Sequence, residues 1–214
     1  MTAADFDPIS LAAIVPQLLI VHPSVKARNV AEFVALAKAA PGKLIYGSPG
    51  RGTGPQMAMQ LLINHTGIDM LHVPYRGVSA VLTDLLAGRV HTMMLNMLTA
   101  KPHIDASTLN ALGVTSLTRA EQMPNLPTIA EQGLNGYEAL QWFGLLAPKG
   151  TPAPIIAKLH AEVSKGLRSP KVKEQFALQG AEPGGNTPAE FAAFLRDEKE
   201  KWSAVAKAAK IVPE

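Results

Sequence analysis

The chain has 214 residues, of which 47% are hydrophobic and 17% charged, with a formal net charge of +3 and no cysteine. This length is enough to bury a sizeable core in one domain or two. The lack of cysteine excludes disulfides and thiolate metal sites. No segment approaches the roughly 18 consecutive apolar residues of a membrane span, and the basic residues lack the interleaved aromatic residues typical of a nucleic-acid surface.

Strands and helices alternate along the first half of the chain. Short strands are predicted over residues 5–15 and 17–21, and a capping box of Asn29 and Glu32 starts a helix that ends near residue 39. Further strands are predicted over residues 44–47, 69–73, 90–95 and 109–115, with helices over residues 55–66, 78–87 and 99–105. This alternation predicts a mostly parallel sheet with helices on both faces.

Prolines and glycines break up the next section, so residues 121–144 are predicted to include a return linker. An apolar strand follows over residues 141–147. Helices are predicted from residue 153, over residues 170–179, and from residue 188 to about 209, the last with a second capping box of Thr187 and Glu190.

A strand, a Pro/Gly turn and a helix follow one another over residues 71–88. Small residues at the helix start leave the first backbone N–H groups unshielded, and the helix dipole there attracts an anion. Gly77, Val78, Ser79 and Ala80 are therefore candidate ligand-binding residues. On this stretch alone, an ordinary βα turn without a ligand is the alternative.

A second unit of the same design lies upstream, where a strand runs through the glycine-rich loop of residues 47–54 into a helix. The loop resembles a P-loop but lacks the phosphate-binding lysine, which argues against a nucleotide. A smaller anion such as a carboxylate fits better, held by backbone N–H groups and by the Ser48 and Thr53 hydroxyls. Ser48, Gly50, Gly52 and Thr53 are candidate ligand-binding residues.

No serine stands in a Gly-x-Ser-x-Gly elbow, and no catalytic trio can be recognised. The six histidines show no metal-ligand spacing with carboxylate support. We therefore expect no enzymatic activity, no metal and no cofactor.

Several motifs resemble one known family. They are Tyr46-Gly47-Ser48, the stretch from His72 to Gly77, and the stretches at residues 82–88, 124–128, 142–148 and 180–183. Together they resemble the Bug family, the extracytoplasmic solute receptors of tripartite tricarboxylate transporters. The resemblance implies an α/β fold like that of type II periplasmic binding proteins, with two flytrap lobes that close on a small carboxylate.

The resemblance also implies a division of the chain. Residues 16–120 would form one complete α/β lobe, residues 1–15 and 145–214 the remainder of the other lobe, and residues 121–144 the return linker or hinge. Receptors of this family normally carry a further segment at the front, with a first strand and a glycine-rich loop that supplies one wall of the pocket. One lobe is therefore expected to be incomplete, with apolar helix stripes that self-associate or capture a partner.

The resemblance bears on individual residues as well. Asn96 follows an apolar strand at an edge where open α/β sheets bind ligands, but the family commonly has Asp-Asn where this chain has Leu95-Asn96, so its pocket role is left open. Since the family holds its ligand mainly through loop amides and hydroxyls, Arg76 is expected in solvent, and Arg51 is left open. Trp142 and Phe143 fit a pocket wall and core packing equally well.

The function implied is a receptor for a mono-, di- or tricarboxylate or an acidic amino acid, with the membrane subunits of the transporter as partners. Its location would be periplasmic. No leader pattern is recognised at residues 1–5, which would make the chain cytoplasmic if Met1 is the true start. The alternative is a truncated remnant or interaction module that keeps the fold without binding a solute.

Overall fold

The structure, a computed structural model, describes residues 5–211. The strands are β1 (Phe6–Val21), β2 (Ile45–Ser48), β3 (Leu71–Pro74), β4 (Thr92–Asn96), β5 (Asn110–Val114), β6 (Leu140–Pro148) and β7 (Glu182–Pro183). The helices are α1 (Val30–Ala39), α2 (Gly54–Thr66), α3 (Val78–Leu86), α4 (Met97–Asp105), α5 (Ala153–Leu167), α6 (Pro170–Leu178) and α7 (Pro188–Ala208). In the described part, no helix is both long and apolar enough to cross a membrane. The expectation about a leader falls mostly on residues 1–4, which lie outside the described residues.

The chain forms two compact units. Unit 1 comprises residues 5–15 and Gln141–Ser203, and unit 2 comprises Pro16–Leu140 and residues 204–211. Strand β1 contributes to both. The expectation that one lobe is incomplete stays a prediction.

Strand β1 is one continuous strand, whereas the sequence predicts two short ones. Its first part pairs with β7 at Ala13 and Ile14, and its last part pairs with β4 and β5 from residue 17 onwards. Pro16 lies between these two paired stretches. Pro16 therefore falls outside the residues that pair with β7, β4 and β5, and a proline without an N–H is tolerated where a ladder is interrupted.

The unit 2 sheet has the order β3-β2-β4-β1-β5 and is mixed: β3, β2, β4 and β5 run in one direction, as the sequence predicts for most strands, and β1 runs in the other. β2 is parallel to β3 and β4, but β1 is antiparallel to both β4 and β5. A buried apolar run looks the same in either direction, so the sequence pattern could not reveal the reversal at β1. Leu18 and Ile20 of β1 pack in the core with residues from α3, β4 and α4.

Residues 121–140, which the sequence predicts as part of a linker, belong to unit 2. Thr128 and Glu131 cap each other, since Thr128 N donates to Glu131 Oε2 at 2.7 Å and Glu131 N donates to Thr128 Oγ1 at 2.9 Å. Ile129 and Tyr137 are fully buried, and the Tyr137 hydroxyl donates to Ala58 O at 2.8 Å. Ile129 N also donates to Val114 O of β5 at 2.9 Å. The segment is thus fastened to α2 and β5, so its prolines and glycines mark turns within a domain.

In unit 1, α7 packs on β6 through aromatic side chains. Phe191 is fully buried, and the ring of Trp142 meets Phe191 and Phe194 edge-on at centroid distances of 6.1 and 5.4 Å. A side chain at Gly144 would overlap Phe191, so this glycine permits the close approach. The apolar stripe of α7, expected to lack its sheet, is thus partly covered. The reciprocal capping box of Thr187 and Glu190 is confirmed.

Other apolar residues of unit 1 are exposed. Phe143 and Leu145 on β6 are 53% and 39% accessible, and Ile155 and Leu159 on α5 are 50% and 42% accessible. Large apolar side chains exposed on a surface mark an interaction site when they lie together. These four side chains carry the expectation of self-association stated above, which stays a prediction.

Candidate functional site

Three helices begin at the same edge of the unit 2 sheet. β2 is parallel to β3 and to β4, and each of these strands leads into a helix: β2 into α2, β3 into α3 and β4 into α4. Because the carboxyl ends of parallel strands meet at one edge, the amino ends of the three helices gather there. Their unpaired N–H groups and partial positive charge suit this edge to an anion.

The loop between β2 and α2 is closed by its own side chains. Ser48 is fully buried, and its hydroxyl donates to Gly50 O at 2.9 Å. The Thr53 hydroxyl donates to the same carbonyl at 2.7 Å. A carboxylate only accepts hydrogen bonds, so it would need these hydrogens. In the structure the two hydroxyls bond within the loop and shape it, and a ligand role for Ser48 and Thr53 stays a prediction.

His72 and Gln56 extend this network, although the sequence analysis missed both. His72 Nε2 lies 2.7 Å from Ser48 Oγ and, since the serine hydrogen points to Gly50, Nε2 is the donor. Nδ1 then accepts from Gln56 Nε2 at 3.3 Å, and Gln56 Oε1 accepts from Gly52 N at 2.5 Å. In this network each donor faces an acceptor only while the imidazole is neutral. Gly52 N is therefore occupied inside the loop.

Burial, followed by the positive charge of Arg51, lowers the pKa of His72 below its ordinary value of 6.5. The imidazole stacks on Tyr46 with ring centroids 4.6 Å apart. Burial also raises the pKa of the Tyr46 hydroxyl to about 12. Both rings are therefore uncharged at neutral pH, so the side chains that support the loop carry no charge.

The start of α3 is open, as the sequence predicts. Gly77 is its N-cap with φ of 99°, in the region that favours glycine, and no side chain caps the helix. The Gly77 amide donates to Pro49 O at 3.1 Å, which joins the two loops. Ser79 and Ala80 are exposed, and Val78 is partly buried against the core. The first-turn amides of Val78, Ser79 and Ala80 remain the predicted ligand donors.

Behind this helix start, Tyr75 is fixed by a charged pair. Its hydroxyl donates to Asp84 Oδ2 at 2.8 Å, and Arg89 Nη1 donates to Asp84 Oδ1 at 2.8 Å. The hydrogen bonds from Arg89 and then Tyr75 lower the pKa of Asp84. Tyr75 N also donates to Ser48 O at 2.9 Å. These contacts hold the turn before α3 in one position relative to the β2 loop.

Asn96 ends β4 and is the N-cap of α4. Its Oδ1 accepts from Thr99 N at 2.9 Å, which leaves the Nδ2 hydrogens for other acceptors. Asn96 therefore has a structural role, and a ligand role stays a prediction. Arg76 is exposed, as expected, and Arg51 lies near His72.

Gln17 was overlooked because it stands in an apolar run. It is 1% exposed, and it lies opposite Asn96 in the register of β1 with β4. Its Oε1 is buried and has no hydrogen-bond partner among the described residues. A polar residue within Val15-Pro16-Gln17-Leu18-Leu19 was the signal that could have found it.

Trp142 and Phe143, which the sequence leaves open between pocket wall and core, lie in unit 1. Trp142 is partly buried and packs against α7 within unit 1, and its Nε1 donates to Glu198 Oε2 at 2.8 Å; a pocket role stays a prediction. Phe143 is exposed. Across residues 5–211, no group of three metal-ligating side chains could hold a metal ion.

The sequence pattern of the tripartite tricarboxylate transporter family receptors (TctC) matches residues 1–211. A UPF0065 protein from the tcbD-tcbE intergenic region of a Pseudomonas species is 41% identical over 199 residues, which cover 92% of this chain and 59% of that protein. BugT of Bordetella pertussis is 34% identical over 201 residues, which cover 94% of this chain and 62% of BugT. The chain thus spans less than two thirds of these relatives' length.

Solved structures of receptor proteins also match this chain. An R. palustris protein with adipate superposes with a TM-score of 0.88 at 37% identity, covering 99% of this chain and 71% of that one. The periplasmic binding protein BugD gives 0.83 at 31% identity, with 98% and 71% covered. MatC of Rhodopseudomonas palustris with bound malate gives 0.81 at 28% identity, with 94% and 69% covered.

The resemblance drawn from the motifs is confirmed by a match that runs through nearly all of the chain, and the relatives share its α/β fold. The chain belongs to the tripartite tricarboxylate transporter receptor family, the TctC or Bug proteins, which are solute-binding receptors and not enzymes.

Proposed function

We propose that this chain functions in a periplasmic receptor for a small carboxylate and that its unit 2 contributes to the binding site. The receptor would deliver the carboxylate to the membrane subunits of a tripartite transporter. The observation that carries the proposal is the gathering of three helix amino ends at one sheet edge, beside a glycine-rich loop held by neutral side chains. Relatives with this fold were solved with adipate and with malate, which are both carboxylates.

The expected affinity follows from the number of contacts. Three helix amino ends contribute about 0.3 to 1 kcal/mol each, and each hydrogen bond to a charged ligand about 1.5 to 3 kcal/mol. Micromolar binding needs about 8 kcal/mol after the cost of immobilising the ligand. Unit 2 alone therefore accounts for part of a tight site, and the additional length of the relatives is expected to supply the rest.

Calorimetric titration of the chain with millimolar malate and adipate tests the proposal, with Ser79→Leu and Thr83→Leu as a matched pair. Both residues are exposed on α3, but Ser79 lies in the first turn and Thr83 one turn later. We expect Ser79→Leu to weaken binding at least ten-fold, because its side chain crowds the first-turn amides, and Thr83→Leu to leave it unchanged. Equal affinity in both variants would remove α3 from the site.

A second candidate, an interaction module without solute binding, is favoured by the exposed apolar side chains of unit 1 at Phe143, Leu145, Ile155 and Leu159. In that case the chain self-associates through these side chains. Light scattering should then give a mass above that of one chain, and Phe143→Ser with Ile155→Ser should return it to one chain. A monomer whose melting temperature rises with a dicarboxylate would exclude this candidate.

A further inference from the structure

The carboxamide of Gln17 is the polar group of unit 2 that the fold leaves incomplete. Gln17 is 1% exposed, and its Oε1 is the buried side-chain oxygen or nitrogen without a hydrogen-bond partner in the described chain. The following residues, Leu18 to Val21, are completely buried and apolar. Native structures rarely bury an unpaired polar atom, and each such atom calls for an explanation.

Backbone hydrogen bonds fix the position of Gln17 in the sheet. Gln17 N donates to Thr115 Oγ1 at 2.8 Å, and Gln17 O accepts from Thr115 N at 2.9 Å. The residue also pairs in register with Asn96 at the end of β4. Gln17 thus lies at the sheet edge where α2, α3 and α4 begin.

The side chain reaches the start of α2. A Cβ built on Gly54, the first residue of that helix, would lie 3.8 Å from Gln17 Nε2. The carboxamide therefore lies next to the first residue of α2, at a helix start whose N–H groups have no intrahelical partner. Those groups favour an anion, and Nε2 adds a donor of the same kind.

The carboxamide oxygen has the opposite requirement. A plain carboxylate offers no hydrogen to Oε1, whereas a hydroxyl or ammonium group next to the carboxylate does. A site built to hydrogen-bond such a group rejects the analogue that lacks it, because its own buried polar atom is then left unpaired.

We propose that Gln17 is a ligand-contacting, specificity-determining residue of the carboxylate site, where Oε1 accepts a hydrogen bond from a hydroxyl or ammonium group of the ligand. The inference rests on the proposed function and narrows its ligand class to hydroxy- or amino-substituted carboxylates. Nε2 faces the ligand carboxylate, together with the first amides of α2.

The test uses two probes that differ by one hydroxyl group, malate and succinate, titrated calorimetrically into the 214-residue chain and into Gln17→Met. Methionine has a similar length but neither donates nor accepts strongly. The wild-type chain should bind malate about five- to ten-fold more tightly than succinate, the ratio that one hydrogen bond supplies. In Gln17→Met the preference should shrink to less than about two-fold.

Two further variants control for folding. Gln179→Met, at an exposed position, should behave as wild type. Gln17→Asn keeps the carboxamide but withdraws it from the site, and it should lose the malate preference as Gln17→Met does. Without ligand, Gln17→Met should melt no lower than wild type, because it removes an unpaired buried oxygen.

The failures are distinguishable. If the wild-type chain binds malate and succinate equally, or if Gln17→Met keeps the preference, the inference is overturned while the proposed function stands. A large drop in the melting temperature of unliganded Gln17→Met would also overturn it, since Oε1 would then have an internal partner such as a buried water. If adipate binds the wild-type chain but malate and succinate do not, the inference is overturned while the proposed function stands. If none of the three binds, the proposed function fails and the inference fails with it.

Discussion

Replacing Gln56 by methionine should loosen the β2–α2 loop without removing its core contacts. Gln56 is 5% exposed, and two of its hydrogen bonds hold the loop: it accepts from Gly52 N at 2.5 Å and donates to His72 Nδ1 at 3.3 Å. A hydrogen bond contributes about 1 kcal/mol net, so the variant should lose about 2 kcal/mol of unfolding free energy. For a protein of this size, this corresponds to a melting temperature lower by about 4 to 8 °C.

The matched control is Gln60→Met, one turn further along α2. Gln60 Nε2 donates to Asn64 Oδ1 at 3.0 Å in an exposed position, so its loss should change the unfolding free energy by less than about 0.5 kcal/mol. Thermal unfolding compares the two variants.

Hydrogen exchange then reports on the loop itself. The Gly52 amide should exchange about five-fold faster in Gln56→Met than in wild type, because it has lost its acceptor. Equal melting temperatures of the two variants, together with unchanged exchange at Gly52, would refute the assignment of the loop to this hydrogen-bond network.

Three further predictions concern pH, a backbone position and a buried hydroxyl. The pKa of His72 is lowered in the folded state, so its contribution to the unfolding free energy is complete above pH 6.5 and is lost as the pH falls through the folded pKa. Burial and then His22 lower the pKa of His91 as well. His72→Phe should therefore remove only part of the decrease in unfolding free energy that urea unfolding shows between about pH 7.5 and about pH 5. An unchanged dependence of the unfolding free energy on pH would contradict the network. Gly77→Ala should cost about 1 to 3 kcal/mol through its φ of 99°, whereas Gly166→Ala near the end of α5 should stabilise by about 0.5 to 1 kcal/mol in the same assay. Tyr137→Phe should lower the unfolding free energy by about 1 kcal/mol, since the hydroxyl bond to Ala58 O is lost; no change would mean that residues 121–140 are not fastened to α2 by this contact.

Local chemistry determined much of this protein from the sequence alone. The capping box of Thr187 and Glu190, the glycine at the start of α3 and the apolar stripes of the helices depend on neighbours within a few residues. The order of strands and helices in unit 2 could therefore be predicted, with boundaries shifted by a residue or two. The family motifs pointed to the receptor fold, which the comparisons confirm.

Tertiary structure decided what those local patterns leave open. The reversal of β1 against β4 and β5 depends on which strand becomes its neighbour, and a buried apolar run carries no sign of direction. Residues 121–140 join unit 2 because Tyr137 reaches Ala58, a contact between residues 79 positions apart.

The same limit applies to the site. Whether the hydroxyls of Ser48 and Thr53 face a ligand or the carbonyl of Gly50 depends on the path of one tight loop and on His72, which comes from the next strand. The sequence shows a glutamine within an apolar run, but only the fold decides that its Oε1 is buried without a donor. Hydrogen-bond satisfaction is a property of three-dimensional surroundings, so a sequence names the polar groups while only the fold shows which of them are left for a ligand.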